Sequence, residues 1–567
     1  MGLRRQIPCK QVNESLLALP TSDVEFRRSQ YSAFNTALQL LYKDEILQLA
    51  SDKKKTFEFN DKLFEDAASL VYDNGGFDIS QIEDPATRAL INETLRILSI
   101  AIDSGLPHEV PETVRYALEN NAFVFSGFKT FHSMREIGLS MVTDKGDIKP
   151  FNDFMADVRK INQLYNHTYL YAEYNHAVGT SLMAAKWHEF EQDGDRYNLQ
   201  YRTANDGRVR EDHALLHETT LPASDPFWDK YYPPNGWNCR CTVVQVRKDK
   251  YQTSDPELAM LRGDNCTDGV KQKMFRYNPG KTMELFPPKH PYKKAPKEAK
   301  VVIEKVSAEE MRAKRIQDMI AELPDNLTAQ EKQAIAEHCI ELEKALGITK
   351  GKPMSVEDAD KQSANPNYVP EYIIDPSGRY TDGHNRLSIN PNYNKKRDYP
   401  NSINCQTCAP AYALRLLGFN VTAKPNTPGS KLEYLSMGRG FEVWNNLDGT
   451  PAQHTSINSW LSAKKYQKMT PKRYMEFFNE VCKEPGVYEL SIAWKNRGGH
   501  ATILQRFNDG TLRYIEPQAD NSAGSGYEWK DVNYLANAGA STSHNCRGIM
   551  RIDNKLFNLN FIEIFDK

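Results

Sequence analysis

At 567 residues the chain is too long for one hydrophobic core, and about 150 residues per domain gives three or so units. With 40% hydrophobic and 26% charged residues and a net charge of −2, it reads as a soluble globular protein without the basic excess that wraps nucleic acid, and it carries no specific nucleic-acid motif. No apolar run approaches the roughly 18 residues of a membrane span, no signal-peptide core follows Met1–Gln6, and nine scattered cysteines suit a reduced cytoplasm better than a disulfide framework.

Residues 22–190 carry amphipathic runs at 34–49, 86–104, 111–121 and 152–187, divided by Gly and Pro. Long helices with few chemical groups describe an assembly arm, so 1–190 is expected to be a mainly helical region without an active site.

A dense block follows at 201–247, within a small α+β module expected over 191–250. An Arg-rich stretch from Tyr201 to Arg210 leads into His213-Ala214-Leu215-Leu216-His217. Then come Asp225-Pro226-Phe227-Trp228, Pro233-Pro234-Asn235-Gly236-Trp237, Cys239-Arg240-Cys241 and a strand continuing through Val244. His213 and His217 share a helix face at i, i+4, and Cys239 and Cys241 share a strand face at i, i+2. The two pairs suit a tetrahedral structural zinc site; equally, the histidines cap or pack and the thiols fill a small core. These motifs resemble the phage minor head, or head morphogenesis, family of the Mu F type over roughly residues 20–250. The resemblance implies a virion component, made in the bacterial cytoplasm and carried in the phage head with portal and head proteins as partners.

Residues 251–384 read as a linker with a helical spacer. Pro287 to Lys297 is proline- and lysine-rich and expected to be extended and mobile, Ala308–Leu323 and Ala329–Leu346 are helical with solvated charges, and an irregular stretch runs from Gly351 to His384.

In the last segment, 385–567, Asn404-Cys405-Gln406-Thr407-Cys408 precedes the helix-forming run Ala411–Leu417, which Gly418 stops. Pro410 fits a first helical turn, which puts Cys408 at or beside the N-cap and Cys405 in the preceding loop. A thiolate at that helix mouth faces the positive end of the dipole and unpaired N–H groups. The pattern favours Cys408 as nucleophile and leaves Cys405 open, either packing or pairing with Cys408 as a regulatory disulfide. A CxxC is also half a zinc site or a redox pair. A redox pair wants a buried strand ahead of it, where Asp398–Ser402 reads as a loop. A zinc site wants a second close pair, and Cys482 and Cys546 stand alone, with His544 near the latter. A base is offered by His500 at the head of a strand. Asn508-Asp509-Gly510 turns the chain, and the returning strand brings Glu516 and Gln518 within a residue or two of His500. The set suits a Cys-His-carboxylate triad.

These residues, together with Gly499-His500-Ala501 and Ile515-Glu516-Pro517-Gln518, resemble a papain-fold toxin domain described as a glutamine deamidase, over roughly residues 385–555. The resemblance implies a helix packed on an antiparallel sheet. It also implies catalysis by cysteine, histidine and acid with no cofactor, a host protein as glutamine substrate, and an immunity protein as partner. Glu516 stands where the family usually has Asp, and Ser402 where papain-like enzymes carry their oxyanion glutamine, leaving Asn404, Gln406 or backbone amides to substitute. The expectation is a multidomain α+β protein: a helical head-morphogenesis region, a small α+β module, a linker and a papain-like enzyme as cargo, delivered to the infected cell. Two rival readings stay open, a cysteine protease on the same carrier and a purely structural virion protein with an inactive tail.

Overall fold

Proline at a first turn and a left-handed residue after the last turn set many of the helix limits, and the apolar faces between them set the packing. The computed structural model describes residues 21–43, 57–107, 110–143, 146–205, 209–360, 364–379, 385–493, 499–519 and 547–567. The chain divides into two units, Met1–Arg312 and Ala313–Lys567.

The first unit is built on helices α1 (Thr21–Leu41), α2 (Asp61–Asp73), α3 (Pro85–Gly105), α4 (Glu112–Ser140), α5 (Phe151–Asn162) and α6 (Leu170–Asp193), with a π-helical turn, Gln163–Tyr169, joining the last two. Pro85 starts α3 at a position whose N–H has no helical partner. A three-stranded antiparallel sheet follows, from β1 (Asn198–Arg202), β2 (Thr220–Pro222) and β3 (Thr242–Val246), in the order β2-β1-β3. Helices α7 (Glu211–Ala214) and α8 (Phe227–Tyr231) lie between the strands, and α9 (Pro256–Cys266) follows them. The aromatic and proline-rich loop is core: Trp228, Tyr231, Tyr232 and Trp237 are buried, the Trp228 indole donates to the Pro222 carbonyl at 2.9 Å, and Tyr201 donates to Asn235 Oδ1 at 2.8 Å.

The expected mobile connector is instead anchored. His290 and Tyr292 are fully buried in the helical core, where His290 Nε2 lies 3.0 Å from the Tyr42 hydroxyl and the Tyr292 carbonyl lies 3.0 Å from His132 Nε2. Two aromatic rings among many lysines and prolines were enough to override a composition typical of a linker.

The unit boundary falls within α10 (Lys297–Glu322). The second unit contains α11 (Ala329–Leu346), which is no spacer: Ile335, Cys339, Leu342 and Leu346 enter the core shared by the helix over residues 405–416. The stretch expected to be irregular holds a strand, β4 (Tyr372–Arg379), which pairs with β5 (Asn385–Ile389) just beyond it. Then come α12 (Lys395–Ser402), where a loop was expected, and α13 (Cys405–Leu416). Asn394 nucleates α12 by accepting from the N–H groups of Lys396 and Arg397. A five-stranded antiparallel sheet is formed by β6 (Thr455–Ser456), β7 (Gly486–Ala493), β8 (Gly499–Arg506), β9 (Leu512–Ile515) and β10 (Gly548–Arg551), in the order β9-β8-β7-β10-β6. Ile503, Ile515, Val487 and Met550 pack with α13, while Leu490, Ile492, Leu504 and Tyr514 pack with the helices Ile457–Ala463 and Pro471–Val481. The second unit is thus α+β, with a helix on an antiparallel sheet. Among the described residues no helix is long and apolar enough to cross a membrane.

Candidate functional site

The β8–β9 hairpin closes through Phe507 to Thr511, with Gly510 at φ +83° and the Thr511 N–H donating to Asp509 Oδ1. Ile503 lies opposite Ile515, and this register brings Glu516 and Gln518 alongside His500. His500 Nε2 is 2.6 Å from Glu516 Oε2. The longer arm of glutamate does not leave the carboxylate loose: Tyr514 donates to Oε2 at 2.9 Å and the Gln518 backbone N–H donates to Oε1 at 3.2 Å. Tyr514 was missed by sequence reasoning, although residues 514 and 516 share a strand face and alternation alone could have flagged it.

Helix α13 begins one turn earlier than expected. Asn404 is its N-cap residue and Cys405 its first residue, so Cys408 lies within the helix and Pro410 deeper still. Its C-terminus follows the expectation, because Gly418 at φ +102° closes a Schellman pair: Phe419 N–H to the Leu414 carbonyl and Gly418 N–H to that of Arg415.

This shift changes the surroundings of the two thiols. Cys405 lies near enough to the His500 imidazole to favour its charged form. Cys408 has no exposed surface, and its Sγ points back at Asn404 Oδ1 at 3.4 Å. Burial, then the charges of Cys405 and Glu516, push the Cys408 thiol well above the usual range, which keeps it protonated and unreactive. For His500, burial opposes the charged form, but the Glu516 carboxylate and the Cys405 thiol outweigh it and hold the imidazole well above its ordinary value. The arrangement therefore suits a thiolate–imidazolium pair braced by an acid. Both cysteines are free thiols.

The oxyanion candidates separate in the same way. Asn404 is committed to the scaffold: its Nδ2 donates to Asn365 Oδ1 and the Lys424 carbonyl, and its Oδ1 accepts from Asn365 and from Gln518 Nε2 at 3.3 Å each. Gln518 thereby serves as a brace for the helix start. Gln406 is buried with Oε1 unpartnered and packed against Gly440, where an added Cβ would come within 1.8 Å of it. No side chain caps α13, so the N–H groups of Cys405 and Gln406, beside the reactive sulfur, are the donors best placed for an oxyanion.

In the first unit the proposed ligand pairs are only partly brought together. His213 Nδ1 lies 3.6 Å from both Cys239 Sγ and Cys241 Sγ. His217 does not join them, because α7 ends at Ala214 and the i, i+4 relation is lost; its Nδ1 accepts instead from the Thr203 N–H at 3.1 Å. The two cysteines precede β3 rather than lying on it. Cys266 at the end of α9 and Asp212 were not anticipated, yet both have a ligand atom within 4.8 Å of a His213 nitrogen. His544 and Cys546 lie outside the described residues.

The segment from the residues just before α5 to β3 carries a family signature: residues 149–244 match the family model described as Phage Mu protein F like protein. The chain is 42% identical over 71 residues to the putative capsid assembly protein F of Escherichia phage Mu, which covers 12% of this chain and 16% of that protein. It is 37% identical over 89 residues to the Mu-like prophage FluMu F protein of Haemophilus influenzae, covering 14% and 22%. The matched stretches thus span less than a quarter of these curated relatives. No solved structure matches the chain.

Proposed function

We propose that the chain is a phage minor head protein whose second unit is a papain-like, cysteine-dependent protein-glutamine deamidase carried as cargo. The head role is supported by the Mu F-like segment and by the relative named for capsid assembly; portal and head proteins are the partners it implies, and the virion its location. The enzymatic role is carried by one observation: Cys405 at the first position of a helix, beside an imidazole that lies 2.6 Å from a braced carboxylate.

In the reaction, the Cys405 thiolate attacks the carboxamide carbon of a glutamine side chain, and the tetrahedral oxyanion is met by the N–H groups of Cys405 and Gln406. His500 gives its proton to the departing nitrogen and ammonia leaves, forming a thioester. Water then gives a proton to His500 and its oxygen to the acyl carbon, releasing glutamate and restoring the thiol. Glu516 fixes the imidazole orientation throughout. No metal or cofactor is needed for these steps. In this reading the substrate is a protein of the infected cell, reached by delivery from the particle, and an immunity protein would guard the producing cell.

The full chain incubated with bacterial lysate under reducing conditions tests this. Mass gains of about 1 Da at specific glutamines, lost in Cys405→Ala and kept in Cys408→Ala, support deamidation. New peptide termini with the same dependence would mean a protease, and no Cys405-dependent product would leave a structural protein with an inert tail.

A further inference from the structure

We infer that the first unit holds a structural zinc ion bound by His213, Cys239, Cys241 and Cys266. The first three are within 4.8 Å of one another through their ligand atoms, and His213 Nδ1 is equidistant, at 3.6 Å, from the two sulfurs. Zn–N bonds of about 2.0 Å and Zn–S bonds of about 2.3 Å at the tetrahedral angle place nitrogen and sulfur about 3.6 Å apart, so the observed spacing is that of two ligands on one ion. Hydrogen bonding explains it less well. One imidazole nitrogen offers a single lone pair or a single N–H, enough for one sulfur and not for two.

The fourth position falls to Cys266. It is buried and a free thiol, as are its two companions save for the half-buried Cys239, and it lies within 4.8 Å of both His213 and Asp212. Asp212 is the rival ligand, but its Oδ1 already accepts from the His213 N–H at 2.9 Å, a contact that orients the helix turn bearing the imidazole. A Cys₃His set with no open place is a structural rather than a catalytic centre. It would join three stretches of this unit, namely the short α7, the turn before β3 and the end of α9. Cys266 lies beyond the Mu F-like match, so the ion would extend that module to α9.

Metal analysis of the full chain purified from zinc-replete cells tests the site, with cobalt substitution reporting the ligands. About one zinc per chain is expected, lost in His213→Ala, Cys239→Ser and Cys266→Ser and retained in His217→Ala and Asp212→Asn. The cobalt form should show a tetrahedral spectrum with sulfur-to-cobalt charge transfer from three thiolates, a readout that does not depend on any variant folding. Chain that neither carries nor takes up zinc would overturn the site. Metal lost in Asp212→Asn with a two-thiolate cobalt spectrum would overturn the assignment of Cys266.

Discussion

Glu489 sits in the middle of the five-stranded sheet with 1% of its surface exposed, accepting from the Trp444 indole at 2.7 Å. Burial pushes its carboxyl up to about 7 from an ordinary value of 4.5, with the Trp444 bond working the other way. A carboxyl raised on folding favours the folded state while it stays protonated, so its stabilising effect is full below pH 4.5 and is lost as pH rises through 7. The gap between 4.5 and about 7, at about 1.4 kcal/mol per pH unit, amounts to about 3 kcal/mol. Glu489→Gln keeps an oxygen for the indole and cannot ionise. Whatever constant offset the amide introduces, the stability of the variant minus that of the wild type should grow by about 3 kcal/mol between pH 4.5 and pH 8. Urea unfolding across that range, followed by calorimetry and by tryptophan fluorescence, reads the difference directly. A difference that stays flat with pH would mean Glu489 is already charged in the fold, and the burial argument would be wrong.

Replacing Cys405 with Ala should reduce ammonia release from glutamine by on the order of 10⁴-fold or more, while Cys408→Ala should leave it within about tenfold of wild type. Glu516→Gln should lower turnover by about 10²- to 10⁴-fold and let burial drag the His500 imidazole down, visible by NMR titration; Tyr514→Phe, removing one hydrogen bond worth about 1 kcal/mol, should cost only a few-fold. Because the His500 value is raised in the fold, that pair stabilises the unit fully below about pH 6.5 and progressively less at alkaline pH, a loss that thermal melts of Glu516→Gln should no longer show. In the first unit Gly280→Ala would push a Cβ to 2.1 Å from Trp187 Cβ, and a loss of about 1–3 kcal/mol is expected in denaturation curves, with no change in the second unit.

Much of the site was legible in the chain. The hairpin followed from Asn508-Asp509-Gly510, and register arithmetic then carried Glu516 to His500 without any tertiary information. The stop at Gly418 followed from its freedom at positive φ. What failed were element limits and composition rules. Pro410 was taken to mark the helix start, but the helix begins at Cys405, before the proline, because nothing in local propensity sees the Asn365–Asn404–Gln518 network that fixes the first turn. The i, i+4 pairing of His213 and His217 assumed a helix that stops after Ala214.

By itself, then, the sequence determined the Cys-His-carboxylate set and the block that matches the Mu F-like family model, since these depend on residue type and short spacings. Tertiary structure alone decided which of two thiols sits beside an imidazole. Both lie on one helix three residues apart, and only packing sets one beside an imidazole and seals the other away from solvent, where a thiolate would go unsolvated. The same holds for Cys266, brought to His213 from more than 50 residues away by the burial of α9 against the aromatic core, a distance no local pattern spans.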